Sequence, residues 1–360
     1  MKKITFVFNE GRTKRLEKDP NGPKEFFYTY NLFKQEYSDT EMIEMLPQGN
    51  FLFSNVFKVI RKITNLPIYS DKLLTINNLK IIFTSDIVIA TNQNIGYSLL
   101  PFMLIKKIFV KANFYVFSMG ILENFNQQKI NNFIVKLLIK TSTKLLFISK
   151  SEMKYSSKLY PEFISKYLYV PFGVDINFWN CEISRVDKKK ILFIGNDSYR
   201  DFNFLQNLAE KMNNFKFTFL TNKIQKTSIK NISIINGSWK GAELTDSEVK
   251  KLYQDHYLTV IPLIDSYQPS GQSVALQSIS ASTPVLITKT IGFWDIESFE
   301  NNKHILFLDK NNTDYWEKVI NEMYVDQEKY EEIAKQGLNL IKNKFDINKQ
   351  YIELKKIFNI

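Results

Sequence analysis

Thr259-Val-Ile-Pro-Leu-Ile-Asp-Ser-Tyr-Gln-Pro-Ser-Gly-Gln-Ser-Val-Ala-Leu-Gln-Ser-Ile-Ser-Ala-Ser-Thr-Pro-Val-Leu-Ile-Thr288 is the stretch on which the fold turns. It reads as strand, polar loop, helix, turn and strand, so the loop lies at the carboxyl end of a strand. In open α/β sheets ligands bind at that edge, and a helix N-terminus there offers unpaired amides and the positive end of a dipole to phosphate. Ser270, Gly271 and Gln272 would form the cradle. Ser273 and Gln277 follow Ser270 on one helix face, with Gln277 about 10 Å further along the axis. Taken alone, the same residues also read as an N-capped helix with ordinary polar exposure.

Outward from this stretch, short β-rich apolar runs alternate with longer helical patterns. On the N-terminal side they are Ile4–Phe8, Ile87–Thr91, Phe114–Phe117, Leu145–Ile148 and Tyr167–Pro171. On the C-terminal side they are Lys190–Ile194, Phe215–Thr221, Ile232–Ile235, Leu258–Pro262, Val285–Thr288 and Ile305–Leu308. The runs are continuous and not alternating, as parallel strands covered on both faces require. Two doubly wound, Rossmann-like α/β domains are predicted: residues 1–180, residues 188–340, and a C-terminal helix over 341–360 crossing back. The polar stretch Asn180–Lys189 has no apolar periodicity and is the expected linker. In the tail, Tyr351, Leu354 and Ile357 or Phe358 fall at helical spacing and need a surface to pack on.

With 360 residues the chain exceeds the size at which one core keeps growing. The single cysteine, Cys181, excludes an internal disulfide or a Cys-rich zinc site and fits a reducing compartment. The apolar run after Lys2 and Lys3 is too short for a signal-peptide core, and Ser98–Ile105 is far short of a membrane span, so a cytoplasmic protein is expected. The formal charge of +11 favours a polyanionic partner such as a phosphate-rich membrane face, a nucleotide or nucleic acid. The alternative reading of the charge is AT-biased codon usage, in line with Lys outnumbering Arg and an abundance of Asn, Ile and Phe.

Beyond this composition, Gln277-Ser-Ile-Ser-Ala-Ser-Thr-Pro-Val285 resembles the second half of the donor-binding stretch E-x7-E-A-M-A-x-G-x-P-V of retaining GT-B glycosyltransferases of family 4. Gly173-Val-Asp-Ile-Asn-Phe178 is similar to the family's G-V-D-x-x-x-F signature. Ile194-Gly-Asn-Asp-Ser-Tyr-Arg200 looks like its phosphate-contacting G-R-x4-K loop, and Thr245–Tyr253 like the helix before the donor strand. The four occur in the family's order and span Pro171 to Asp295. Departures are equally specific: the family's two glutamates fall on Pro269 and Gln277, and its loop arginine on Asn196, while its lysine lies near Arg200.

The resemblance implies a GT-B fold, two Rossmann-like domains facing a cleft, and a nucleotide-sugar donor held by Gly195, Asn196, Arg200, Ser270, Gly271, Gln272, Ser273 and Gln277. Arg200 is the expected catalytic residue, because a guanidinium offers forked donors to a departing diphosphate. Its alternative is a surface arginine paired with Asp197 or Asp201. Retention of configuration is implied, with no metal and no cofactor beyond the co-substrate. No His/Asp/Glu set has metal-ligand spacing, and His256 and His304, beside expected strands, read as structural.

On the acceptor side, Gly11 and Arg12 in the loop Asn9–Arg15 follow the first strand, and Gly120 follows the strand Phe114–Phe117. A solvated basic loop is the competing reading of the first of these. The helical pattern Lys129–Lys144 separates an apolar face from lysines, and with Leu99–Lys111 it would dock on an anionic inner membrane surface or, alternatively, pack on its own sheet. The expected activity is hexosyl transfer to a glycan or lipid-linked acceptor in bacterial-type surface polysaccharide or glycoconjugate synthesis. The alternative is a non-catalytic nucleotide-sugar binder. Nucleic acid is not an expected partner, since only charge and no recognition motif points to it.

Overall fold

The computed structural model describes residues 2–121, 129–181, 187–237 and 244–360. They fall into two compact units, one within residues 1–20, 26–171 and 350–360, the other within residues 21–25 and 172–349.

The first unit holds β1 (Ile4–Phe8), β2 (Thr40–Glu44), β3 (Ile87–Ala90), β4 (Asn113–Ser118), β5 (Lys144–Phe147) and β6 (Tyr167–Tyr169). They pair in parallel in the order β2-β1-β3-β4-β5-β6. Every residue of β1 and β3 is buried, the condition that their largely apolar sequences demand, with Thr5 of β1 bonded to Ser85. Burying each such Val, Ile or Phe side chain contributes roughly 1.5–3 kcal/mol. Only β2 escapes the sequence pattern. Its Thr-Glu-Met-Ile-Glu places Thr40 and Ile43 inside and leaves the others half-buried, as an edge strand allows.

The second unit holds β7 (Asp187–Ile194), β8 (Lys216–Leu220), β9 (Ile232–Ile235), β10 (His256–Ile261), β11 (Val285–Thr288) and β12 (Leu306–Leu308). Their order is β12-β11-β10-β7-β8-β9, again all parallel. β7 begins inside the stretch expected as linker: Asp187 pairs with His256, so the ladder continues into the lysine run. Helices flank both sheets, and the two hydrophobic cores form on separate sheets.

The terminal helix Ile347–Phe358 enters the first unit from Gln350 onward. Leu354 and Phe358 are buried, the Phe358 ring lies 4.5 Å from that of Tyr115 and 5.6 Å from that of Phe33, and Tyr351 and Lys355 bond Glu36.

Candidate functional site

Each sheet reverses its winding once. In the second unit the reversal lies between β7 and β10, whose chains leave the sheet side by side at its carboxyl edge. After β7 the loop Gly195–Asp201 is laid along the chain leaving β10. Arg200 pairs with Leu263, Ile264 N donates to Tyr199 O at 2.8 Å, and Asp201 N donates to Pro262 O at 3.0 Å. Asp201 then caps the helix Phe202–Lys211, so the position of Arg200 is fixed from both sides by backbone bonds.

The Arg200 side chain is buried, not superficial. Its Nε donates to Asp197 Oδ2 at 2.8 Å, which orients the guanidinium while using only one of its donors. Nη1 is buried and has no partner among the described residues. Two glycines make room for the group. A Cβ on Gly195 would stand 2.5 Å from Arg200 Nε, and one on Gly271 would stand 2.9 Å from Nη1 and 2.8 Å from Ile261 Cγ2. Gly271 also adopts φ +80°, a left-handed conformation that other residues reach only with strain.

Gly271 is the N-cap of the helix Gln272–Ser280, and no side chain caps that helix. Its first amides therefore carry the partial positive charge of the helix terminus toward the same space. Ser270 Oγ is buried there without a partner among the described residues, Gln272 is buried, and Ser273 is half-buried. An unpaired guanidinium donor, an unpaired hydroxyl and an uncapped helix end converge at one switch point. Leaving such donors desolvated costs about 1–3 kcal/mol each, and more for a charged group, unless an anion takes them up.

Two residues expected to touch the donor are engaged internally. Asn196 donates through Nδ2 to Gly237 O at 2.6 Å and accepts through Oδ1 from Thr221 Oγ1 at 2.9 Å and Asn222 N at 2.7 Å, fastening the loop to the ends of β8 and β9. Gln277 is buried, and its Nε2 donates to Glu25 Oε1 at 3.0 Å while its Oε1 accepts from Tyr253 Oη at 3.3 Å.

Glu25 was invisible to sequence reading because nothing near Pro23 marks a carboxylate for burial inside residues 172–349. The fully buried carboxyl also accepts from Trp179 Nε1 at 2.6 Å and from Asp175 N at 3.2 Å. Burial pushes its pKa up to about 7, against the opposing pull of bonds from Gln277, Trp179 and the backbone. Asp175, from the Gly-Val-Asp signature, accepts from Lys24 N at 3.2 Å and caps the helix Ile176–Trp179. A carboxyl thus stands beside position 277 although the residue there is an amide.

At the carboxyl edge of the first sheet the pattern differs. Gly120, at φ +107°, and Ile121 donate their amides to Glu152 Oε1, each at 2.8 Å, and Ser118 Oγ adds a third bond at 2.7 Å. Gly11 stands at φ +97° before the seven-residue helix Arg12–Lys18. Arg12 is partly buried, and desolvation lowers its pKa to about 10 despite the favourable fields of Tyr28 and Glu44.

Of the histidines, His256 bonds Leu252 O and Thr218 Oγ1, each at 2.7 Å, and His304 Nδ1 accepts from Glu300 N. Among the described residues no three His, Cys, Asp or Glu side chains gather as a metal site would need, and no helix is long and apolar enough to cross a membrane. In the helix Lys129–Thr141 the inward face is Asn131, Val135, Leu138 and Ile139, which leaves Ile130 and Phe133 outside. In the helix Gln93–Phe109, Leu99, Leu100 and Met103 are buried while Ile105, Ile108 and Phe109 are exposed.

No family profile and no curated protein sequence matches the chain. Solved structures do. HepE of Anabaena, in complex with UDP-glucose, is similar with a TM-score of 0.70 at 11% identity, covering 99% of both chains. Sucrose-phosphate synthase of Thermosynechococcus elongatus gives 0.68 at 10% identity, covering 99% of this chain and 98% of its own. A glycosyltransferase of Rickettsia africae gives 0.62 at 13% identity, covering 99% and 98%. At these identities the likeness establishes the fold: two Rossmann-like parallel sheets of the GT-B type, as the sequence predicted.

Proposed function

We propose that the protein is a glycosyltransferase whose second unit binds the diphosphate of a nucleotide-sugar. The observation that carries the reading is the buried Arg200 guanidinium, pinned by Asp197 and set against Gly195 and Gly271, with Nη1 unpartnered among the described residues beside a helix N-terminus that no side chain caps. Two phosphates would take up Arg200 Nη1, Ser270 Oγ and the first amides of the helix Gln272–Ser280, with Ser273 at the rim. As the bond from the sugar to the diphosphate breaks, negative charge grows on the leaving oxygen, and fixed donors in a water-poor site stabilise it without reorganising. The charge would be met by the guanidinium and the helix end, so the transfer is proposed to be metal-independent, with no cofactor beyond the co-substrate.

The fold likeness to glycosyltransferases, one of them bound to UDP-glucose, supports this reading. The finer parts are proposals of the same kind: hexosyl transfer with retention, a glycan or lipid-linked acceptor taken by the first unit near Gly11, Arg12 and Gly120, and a role in surface polysaccharide or glycoconjugate synthesis at the cytoplasmic membrane face.

One observation favours a second reading. Positions 269 and 277 lack the carboxylates of the resembled family, and the Gln277 amide is occupied by Glu25 and Tyr253. A nucleotide-sugar binder without transferase activity would tolerate that.

Thermal unfolding with a panel of nucleoside diphosphates and nucleotide-sugars, in the presence of chelator, tests both. A selective stabilisation by one base, about 2.7 kcal/mol at a ligand concentration of one hundred times Kd, supports the donor site. Release of the free nucleoside diphosphate from the stabilising nucleotide-sugar separates enzyme from binder. No stabilisation by any member sinks the proposal.

A further inference from the structure

We infer that the segment Phe51–Thr64 of the first unit is a docking surface for an anionic lipid bilayer. It carries six exposed apolar side chains: Phe51 is 90% exposed, Leu52 76%, Phe53 47%, Val56 53%, Val59 56% and Ile63 56%. Val56, Val59 and Ile63 stand at i, i+3 and i+7 of the helix Ser54–Thr64, so they form one stripe, and Phe51 and Leu52 extend it past the helix start.

The helix is already anchored without that stripe. Phe57 and Ile60 pack on the core, Thr64 is buried, and Arg61 donates to Ile68 O at 2.9 Å and pairs with Asp71 at 3.3 Å. At about 100° per residue the apolar arc from Val59 through Val56 to Phe57 is roughly 160° wide, nearly half the circumference, and the core covers only one side of it. A soluble surface helix needs only the covered part.

Charge decides what the uncovered part meets. From Phe51 to Ser70 there is no acidic residue, while Lys58 and Lys62 lie on the remaining arc and make no ion pair among the described residues. Apolar side chains led by a phenylalanine and flanked by unpaired lysines are the pattern of a helix lying in a lipid interface, with side chains in the acyl boundary and ammonium groups at lipid phosphates. A protein partner of matching chemistry would have to present a hydrophobic groove rimmed by acids; a bilayer offers both features everywhere on its surface. The segment also exceeds what the helix Lys129–Thr141 offers, since that helix turns its apolar face inward and leaves out only Ile130 and Phe133.

The inference deepens the membrane part of the proposed function and needs no sugar transfer. Sedimentation of the full chain with phosphatidylcholine vesicles, with and without phosphatidylglycerol, uses no nucleotide, so its failure leaves the transferase reading standing. The expected result is binding to the anionic vesicles that weakens with salt, and a loss of about tenfold or more in Leu52→Asp and in Val56→Asp with Val59→Asp, whose exposed positions leave folding intact. Lys58→Glu with Lys62→Glu should abolish the preference for anionic vesicles. Val325→Asp, at an 80% exposed position of the second unit, should bind as the parent does. Absence of vesicle binding overturns the inference. So does binding that ignores the stripe substitutions, which would leave net charge as its cause, and so does a dimer in vesicle-free solution that those substitutions dissociate.

Discussion

The loop after β4 in the first unit and the loop after β10 in the second solve the same local problem in opposite ways. Each leaves a parallel strand at the carboxyl edge, each passes through a glycine at positive φ, Gly120 or Gly271, and each gathers hydrogen-bond donors. In the first unit the donors are already consumed: Ser118, Gly120 and Ile121 all point at the buried carboxylate of Glu152. In the second they are left over: among the described residues the one carboxylate bonding the Arg200 guanidinium, Asp197, engages Nε and leaves Nη1 without a partner. A cluster of donors closed by the protein's own carboxylate stabilises the fold; one left open is where the proposed diphosphate would bind. The difference lies in which donors the fold has itself taken up: those beside Gly120 are held by Glu152, so an acceptor proposed there would meet other groups of the loop.

The contrast is open to direct attack. The largest effect is expected from Arg200→Ala, which should lower kcat/KM by about 10²–10³ if the guanidinium meets the departing diphosphate. It should also abolish thermal stabilisation by the nucleoside diphosphate. Unchanged kinetics would place Arg200 among purely structural ion pairs and erase the distinction between the two loops.

Glu152→Ala should behave in reverse. With two amides and a hydroxyl left unsatisfied in a buried loop, unfolding in denaturant should show a loss of about 2–3 kcal/mol, while affinity for the nucleoside diphosphate stays at the parent value. Weakened donor binding at unchanged stability would mean that the first unit's loop is also a site.

A third, smaller effect concerns Glu25. Its carboxyl is raised to about 7 in the fold, so the folded state prefers the proton that the unfolded chain releases near the ordinary carboxylate value. Its contribution is fully present below about pH 4.5 and is lost as pH rises through about 7, a decline of about 2 kcal/mol between pH 5 and 8. Glu25→Gln should remove that slope, and calorimetric unfolding midpoints of the two proteins across this range should diverge most at pH 8. Parallel curves would show that the carboxyl titrates normally.

Much of the fold is legible in the chain because parallel strands covered on both faces must be written as unbroken apolar runs. Ile87–Ala90 and Leu145–Phe147 can be read directly for that reason, whereas Thr40–Glu44, at an edge, keeps polar residues that hide it. Arg200, Ser270 and Gly271 were legible as candidates because strand, loop and helix succeed one another locally. What each candidate does was not, since hydrogen-bond partners come from remote segments. Asn196 lies in the loop as expected, yet its amide ties together the ends of two other strands through Gly237 and Thr221.

By itself, then, the sequence determined two doubly wound sheets and singled out a loop at the edge of the second as the candidate anion site, because strand burial and helix termini are set by neighbours along the chain. Only the tertiary structure decided which donors remain free. It brought Glu25 to Gln277 across 252 residues, set Glu152 under Gly120, and, among the described residues, left Arg200 Nη1 without a partner between two glycines. The physical reason is that a buried polar group must be satisfied by whatever the fold brings within about 3 Å, and distance in space has no counterpart in sequence order.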